Sequence, residues 1–170
     1  MERRSNLKIV TWEDVNALKH AARRSPRKRQ NANLHEYKDV VQFFFNAFSP
    51  PTYVQPHRHV DKDEYFLICE GTVLTLEFDD AGEVTQIALL EAGVTRACKI
   101  EAGTWHTVVA LTESILLEVK AGPYDPNTAK EFAAWAPSEG AAEAEQWQRK
   151  LLDTVRRANP ELLLFRFLQE

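Results

Sequence analysis

The spacing of hydrophobic and polar positions near the start of the chain predicts a helix. In "TWEDVNALKHAARRSP", Trp12, Val15 and Leu18 recur at helical spacing and form one apolar face. Thr11 stands before this face and Asp14 follows three residues later, which is the arrangement of a capping box. We therefore predict an N-terminal helix that begins after Thr11.

From residue 41 the pattern changes to short runs rich in β-branched and aromatic residues. In "TVLTLEF", for example, Leu74, Leu76 and Phe78 occupy every second position, which is the period of a β-strand. Turn signals such as "SPP", "VDKD" and "DDAG" separate the runs. The predicted strands lie in eight runs: "VQFFFNAF", "TYVQPHRH", "EYFLICEG", "TVLTLEF", "EVTQIALL", "RACKIEAG", "TWHTVVAL" and "SILLEVKAG". Eight strands between residues 41 and 122 predict a β-sandwich or small barrel, and a jelly roll is a natural candidate.

The strand pattern ends at Gly122 and gives way to a loop and a second helix. The aromatic residues of "PYDPNTAKEFAAWAPSEG" predict a segment that covers an open end of the barrel. In "AAEAEQWQRKLLDTVRRA", Trp147, Leu151 and Val155 have helical spacing, while "NPELLLFRFLQE" suits either a strand or a helix. We predict one domain over residues 1–170, composed of an N-terminal helix and basic segment (1–36), a β-barrel core (37–122), and a loop with a C-terminal helix (123–170).

Composition is that of an ordinary globular protein, with 44% hydrophobic and 27% charged residues among 170. No apolar stretch approaches the ~20 residues that a membrane span needs. The first residues, "MERRSNLKIVTWEDV", contain no continuous apolar region like that of a signal peptide. Cys69 and Cys98 lie in separate strand-like runs, which favours reduced thiols over a disulfide. These features predict a cytoplasmic protein without a membrane partner.

Positive charge is concentrated in one short segment of a chain whose net charge is −4. Residues 19–30, "KHAARRSPRKRQ", carry six Lys or Arg and no acidic residue. A nucleic-acid-binding protein usually presents a larger basic face, so we predict no nucleic-acid partner. Two interpretations remain open: the segment is a solvated helix end and loop, or some of its arginines face an anionic substrate.

Three candidate metal ligands occur close together in "PHRHVDKDEYFLICEG". On a strand, His57 and His59 share a face because successive side chains alternate. The polar stretch "VDKD" has the length of a tight connection, which would return Glu64 beside the two histidines on an antiparallel neighbour. A hairpin therefore predicts three converging ligand groups.

His106 supplies a fourth group. It begins an apolar strand after a Gly-Thr turn, and alternation places it on the same face as Val108 and Ala110, which is predicted to be the barrel interior. Unpaired ionisable groups in such an interior are costly, and a divalent cation that binds all four removes the penalty. Three imidazoles and one carboxylate suit Fe(II), Mn(II), Ni(II), Co(II) or Zn(II). The competing interpretation is a purely structural cluster of hydrogen-bonded His and Glu side chains.

The spacing of these four residues resembles the cupin motifs. The first motif, HxH followed after four residues by E and after six more by G, is met by His57, His59, Glu64 and Gly71, and the second, GxxH, by Gly103 and His106. Flanking segments such as "SPRKRQNANLHEY", "NAFSPPTYVQPHRH" and "KDEYFLICEG" are similar to those of the WbuC family of cupin-fold metalloproteins, over roughly residues 7–140. Departures from the general cupin pattern lie at Pro51, Glu101 and Ala110 and leave the four ligands intact. The resemblance implies a mainly β cupin jelly-roll β-barrel with an N-terminal helix and a C-terminal helical extension.

The resemblance also implies a function. WbuC-like cupins are associated with bacterial surface-polysaccharide (O-antigen) gene clusters, which implies a sugar or nucleotide-sugar substrate and metal-assisted isomerisation or epimerisation. Oxygen chemistry at Fe(II), as in a dioxygenase, is the rival enzymatic interpretation. Two non-enzymatic interpretations stay open as well: a ligand-binding or sensing module, and a metal with a purely structural role.

Further residues are candidates for the ligand pocket. Tyr53, Tyr65 and Trp105 flank the ligands, although aromatic residues at such positions are more often core. The polar pocket candidates are Arg27, Arg29, Asn33 and His35. We expect a small polar or anionic ligand.

Because jelly-roll sandwiches leave exposed edges and cupins commonly pair, we also predict a homodimer.

Overall fold

The computed structural model of the chain describes residues 7–160. Residues 161–170, where the sequence suits either a strand or a helix, lie outside the described residues. Two helices are present in the described part, α1 (Trp12–Arg24) and α2 (Ala144–Ala158). The strands there are β1 (Arg29–Asn33), β2 (Val41–Phe48), β3 (His57–Arg58), β4 (Glu64–Glu70), β5 (Thr72–Phe78), β6 (Val84–Glu91), β7 (Ala97–Ile100), β8 (Trp105–Ala110), β9 (Ser114–Ala121) and β10 (Glu131–Phe132).

The strands form two five-stranded antiparallel sheets. The first sheet has the order β1-β2-β9-β4-β7, and the second has the order β10-β3-β8-β5-β6. Each of the eight predicted runs contributes a strand, so the mainly β architecture is confirmed. The run "TYVQPHRH" contributes only the two residues of β3.

Both helices cover outer faces of the sheets. Thr11 and Asp14 form the predicted capping box at the start of α1. Ala22 of α1 packs with Ala47 and Ile115 on the outer face of the first sheet. The N-terminal helix and the C-terminal helix are therefore both where the sequence predicts them.

The central strands of the second sheet, β5 and β8, are buried on both faces. Val73 of β5 belongs to the core between the sheets, together with Phe66 and Leu116 of the first sheet. The alternate β5 residues, such as Leu74, face outward and pack with Val155 of α2. Burial on both faces explains why β5 and β8 read as nearly continuous apolar runs rather than as a strict alternation.

Two short strands depart from the predicted pattern. Residues 29–33 form β1, which pairs with β2 and extends the first sheet. The strand pattern also does not stop at Gly122, because β10 pairs with β3 and places Phe132 opposite His57. A two-residue strand has too few alternating positions to be recognised in sequence, and its pairing is set by tertiary contacts.

Gly71 makes the sharp connection between β4 and β5. Its φ is +76°, and a Cβ atom there would lie 2.1 Å from the carbonyl oxygen of Glu113. Only glycine tolerates both the left-handed conformation and this close approach. The glycine of the first motif therefore has a backbone role, which is to hold the turn after the strand that carries Glu64.

Among residues 7–160, no helix combines the length and the apolar character needed to cross a membrane. Apolar side chains are exposed on α1 and on the first strands: Trp12 is 61% exposed and Val41 is 49% exposed.

We predict a homodimer that uses α1 or the first strands as its contact, because pairing would remove these side chains from water. Light scattering should give twice the 19.5 kDa mass of one chain. A mass of one chain at micromolar concentration would contradict the prediction.

Candidate metal centre

The four candidate ligands come from both sheets and meet between them. His57 on β3 lies directly opposite His106 on β8 in the second sheet. Glu64 is the first residue of β4 in the first sheet. His59 follows β3 at the start of the connection that leads to Glu64. One donor atom from each of the four side chains lies within 4.8 Å of the others, and all four residues are buried.

Backbone carbonyl groups fix the orientation of all three imidazole rings. Nδ1 of His57 lies 2.9 Å from the Gln55 carbonyl oxygen, and Nδ1 of His106 lies 2.9 Å from the Thr104 carbonyl oxygen. Nδ1 of His59 is hydrogen-bonded to the Ala129 carbonyl oxygen. A carbonyl oxygen only accepts hydrogen bonds, so each Nδ1 carries the hydrogen and each neutral ring presents an Nε2 lone pair. This arrangement is common around metal-binding histidines.

The carboxylate of Glu64 divides its two oxygens between different neighbours. Oε1 accepts a hydrogen bond of 2.9 Å from the Lys120 ammonium group. Oε2 is buried and has no hydrogen-bond partner, and the same is true of His106 Nε2. These two atoms are nevertheless only 2.9 Å apart.

The unpartnered atoms test whether the site suits a cation. With the hydrogen of His106 on Nδ1, both Nε2 and Oε2 of Glu64 present lone pairs to each other at 2.9 Å. Two buried acceptors without a proton between them repel, and each lacks the partner that buried polar groups require. A cation that accepts both lone pairs removes the conflict. The donor set therefore suits a divalent metal ion with nitrogen and oxygen ligands.

Electrostatics keep His57 and Glu64 in the states that bind metals. Burial and the nearby Lys130 charge hold the pKa of His57 well below its usual value of 6.5, so its ring is neutral. Burial tends to raise the pKa of Glu64, but the charge of the Lys120 ammonium group opposes it, and that pKa is held well below 4.5. Neutral imidazole and ionised carboxylate are the forms that coordinate a cation.

A cavity of about 450 Å³ opens beside the cluster, lined by His57, His59 and Glu64 among others. Four of the predicted pocket residues also line it: Arg27, Arg29, Asn33 and His35. On β1, Arg29 and Asn33 share the face that alternation directs into the sandwich. The basic segment and the cluster are thus brought to one cavity.

The three predicted aromatic residues lie elsewhere. The Tyr53 hydroxyl donates to the Pro137 carbonyl oxygen at 2.7 Å. Tyr65 is 47% exposed, because it alternates with Glu64 and points away from the cluster. Trp105 packs beneath Arg58, whose guanidinium carbon is 4.4 Å from the ring centroid. None of the three is among the residues that line the described cavity.

Both predicted arginines are engaged by Glu139. Arg27 Nε lies 2.5 Å from Glu139 Oε1, and Arg29 Nη2 lies 2.6 Å from Oε2. The Arg29 side chain is 14% exposed, whereas that of Arg27 is 61% exposed. Arg29 is therefore the arginine that is fixed in the cavity wall, and Arg27 lies nearer to its rim.

The sequence reasoning missed a polar network on β9 and β2. Lys120 donates to Glu64 and to Glu118, and the Asn46 side chain donates to Glu118 Oε2 at 2.8 Å. Burial and the Glu64 charge raise the pKa of Glu118 to about 8, while the two carboxylates raise the pKa of Lys120 despite its burial. The sequence does contain a signal for this network, in "SILLEVKAG". Leu116, Glu118 and Lys120 share one face of the strand there, and Leu116 belongs to the core. Polar residues that continue an inward-facing row are candidates for a site.

Comparison with known proteins identifies the fold. Residues 10–90, slightly less than half of the chain, match a family described as a domain of unknown function (DUF6016). No curated protein matches the chain in sequence.

Two solved structures of low sequence identity have a similar fold. Oxalate oxidase in complex with the substrate analogue glycolate is 15% identical with a TM-score of 0.50, and the match covers 64% of this chain and 57% of that one. The capsular polysaccharide assembling protein CapF from Staphylococcus aureus is 18% identical with a TM-score of 0.51, and the match covers 60% of this chain and 29% of that one. The chain thus spans less than two thirds of either protein, and at these identities the likeness concerns the fold alone. Together with the two sheets and the flanking helices, it confirms the predicted jelly roll: the chain has the cupin fold, and its buried His/Glu cluster is of the kind that binds a divalent metal ion.

Proposed function

We propose that this protein is a metal-binding cupin that acts on a small polar molecule, such as a sugar or nucleotide sugar, by metal-assisted isomerisation or epimerisation. The metal is one divalent transition ion, Fe, Mn, Ni, Co or Zn, held by His57, His59, Glu64 and His106. The observation that carries the proposal is the pair of buried, unpartnered acceptors, Glu64 Oε2 and His106 Nε2, beside a polar cavity. When bound, such an ion polarises a carbonyl or hydroxyl group of a substrate.

The residues around the cavity support a polar substrate. The carboxamide groups of Asn33, Gln42 and Asn46 line it together with the cations of Arg29 and Lys120. Carboxamides both donate and accept hydrogen bonds, so they suit the hydroxyl groups of a sugar. The buried rings and the apolar core beneath them exclude bulk water from the cluster.

A role in bacterial surface-polysaccharide (O-antigen) metabolism completes the proposal. It rests on the resemblance of the flanking segments to the WbuC family and is in keeping with the fold of CapF, which assembles capsular polysaccharide in Staphylococcus aureus. Oxygen chemistry at Fe(II) is the second candidate, and an oxidase, oxalate oxidase, is among the proteins of similar fold.

Solvent proton exchange distinguishes these reactions. Isomerisation and epimerisation remove a proton from carbon and return one from solvent, so metal-loaded protein in D2O should introduce deuterium into its substrate. Sugars, sugar phosphates and nucleotide sugars would be screened by NMR, with oxygen consumption followed in parallel. Oxygen uptake without deuterium incorporation would establish the second candidate, and binding with neither would indicate a non-catalytic module.

We predict that Arg29→Met weakens the binding of an anionic ligand, such as a nucleotide sugar or citrate, and leaves the metal content unchanged. Methionine keeps an apolar stem and deletes a charge whose contact with the ligand is worth roughly 1.5–3 kcal/mol. Arg27→Met should have the smaller effect, because its side chain is 61% exposed. Isothermal titration would measure both. If both variants bind every anion as tightly as the parent, the two arginines only pair with Glu139 and do not contact the ligand.

A further inference from the structure

Lys120 uses all of its hydrogen-bonding capacity within the described structure. Its ammonium group donates to Glu64 Oε1 at 2.9 Å and to Glu118 Oε1. It also lies 3.3 Å from Nε2 of His59. Because Nδ1 of His59 carries the hydrogen that bonds to the Ala129 carbonyl oxygen, Nε2 accepts from the lysine. An ammonium group has three N–H donors, so each of them has an acceptor.

A metal ion on the four-ligand cluster would disturb only one of these three contacts. Glu64 has two oxygens, and Oε2 is free to bind a cation while Oε1 remains with Lys120. Glu118 is not one of the four candidate ligands. Nε2 of His59, in contrast, has a single lone pair, and a cation that takes it leaves nothing for the lysine. Metal binding therefore releases one N–H of a side chain that is only 10% exposed.

The released donor faces a cavity with an excess of positive charge. Lys120 is one of five Lys or Arg residues that line the cavity. Three carboxylates oppose them: Glu64 and Glu118 in the lining, and Glu139, which pairs with Arg27 and Arg29. Burial and the neighbouring Lys120 charge lower the pKa of Lys130, another of the five. An anionic oxygen offsets the excess of positive charge and also accepts the free N–H, whereas a neutral oxygen does only the second.

We propose that Lys120, in addition to Arg29, contacts an anionic oxygen of a small-molecule ligand, and that metal binding at His59 makes the lysine available for it. This inference rests on the proposed metal site and names the ligand class of the same cavity. Metal and anionic ligand then bind cooperatively, and by linkage each raises the affinity of the other by the same factor.

Lactate and lactamide form a matched pair of probes, because they share a skeleton and a hydroxyl group and differ in charge. Titrations of metal-loaded protein, dialysed to remove free metal, would be compared with titrations of chelator-treated protein. Loaded protein should bind lactate at least about tenfold more tightly than lactamide, and Lys120→Met should lose about tenfold in lactate affinity without losing metal. Lys120→Arg should retain part of the preference, because it keeps the charge.

Two further variants separate recognition from folding. Lys120→Met leaves Glu118 buried without its cation, so the double variant Lys120→Met/Glu118→Gln removes both charges of the pair and should fold where the single variant does not. Lys19→Met is the matched control, because Lys19 pairs with Glu70 and does not line the cavity. It should bind lactate as the parent does. Metal content is measured for every variant by elemental analysis.

The outcomes distinguish this inference from the proposed function. A parent protein that binds no metal overturns both. A parent that binds metal, with lactate affinity unchanged in both Lys120→Met variants, overturns the inference alone. Loss of metal from both of these variants assigns Lys120 to the support of Glu64 rather than to the ligand, and this also overturns the inference. If the Lys120→Met variants keep their metal but lose the preference for lactate over lactamide, the result supports the inference.

Discussion

Replacing His106 with alanine is expected to abolish stoichiometric metal binding in a protein that otherwise carries about one divalent transition metal per chain. The change removes one Nε2 donor from a set whose donor atoms all lie within 4.8 Å. Replacing even an outer partner of a metal ligand costs about 10–100-fold in affinity, and loss of the ligand itself should exceed that. Elemental analysis of protein purified without added metal measures the stoichiometry directly.

Three variants make the test specific. Glu64→Gln keeps the shape of the side chain and removes the charge, so it should lose metal as His106→Ala does. His20→Ala and His35→Ala should keep it, because His20 is exposed on α1 and His35 is held by the Phe43 backbone, whose N–H donates to Nδ1 at 3.0 Å. A parent stoichiometry near zero, with no rebinding after chelation, would falsify the metal assignment.

The ligand set was predictable because it depends on local rules. His57 and His59 are separated by one residue, and a short polar connection returns the chain to Glu64. Alternation along β8 then places His106 with the core residues Val108 and Ala110, as the structure confirms. These inferences need only the period of a strand and the direction of a tight turn.

The second layer of the site was not predictable, because it depends on sheet register. Lys120 meets Glu64 because β9 and β4 pair with these two residues opposite each other. The carbonyl group that orients His59 belongs to Ala129, seventy positions away in the chain and just before the short strand β10. Neither partnership has a signature in local periodicity, because many registers satisfy the same alternation.

The aromatic pocket candidates illustrate a different limit. Tyr65 was proposed because it is adjacent to Glu64, but adjacent residues on a strand point to opposite faces. Alternation, which located His106, also indicates that Tyr65 faces away from the cluster. Lys120 and Glu118 could have been found by the same rule, since they extend the inward row that begins with Leu116.

Removal of the metal is expected to lower the melting temperature at neutral pH by several degrees. A ligand that binds only the folded state stabilises it by about 2.7 kcal/mol when its free concentration is 100 times its dissociation constant. For a chain of 170 residues, each kcal/mol corresponds to roughly 2–4 °C. Thermal melts with metal and with chelator should therefore separate by about 5–11 °C.

Acid is expected to destabilise the protein, and the sign follows from His57. Burial and the Lys130 charge hold its pKa well below 6.5 in the folded state, so below about pH 6.5 the unfolded chain binds a proton that the folded chain does not. The free energy of unfolding then falls with decreasing pH by up to ~1.4 kcal/mol per pH unit for this one group. The pKa of Glu64 is also held well below its usual 4.5. Its contribution to the free energy of unfolding is therefore complete above about pH 4.5 and is lost only as the pH falls further.

The metal adds a second dependence on pH that the chelator can isolate. Protons compete with the cation for the imidazole nitrogens, so metal affinity decreases in acid and the separation between the two melting curves should narrow from pH 7.5 to pH 5. The chelator-treated protein should still lose stability over this range, because the contribution of His57 does not require the metal. His106→Ala provides the matched control: its melting temperature should be insensitive to chelator at every pH. Superimposed curves for the parent protein with and without chelator at pH 7.5 would instead indicate that the four side chains form a structural cluster without a linked metal.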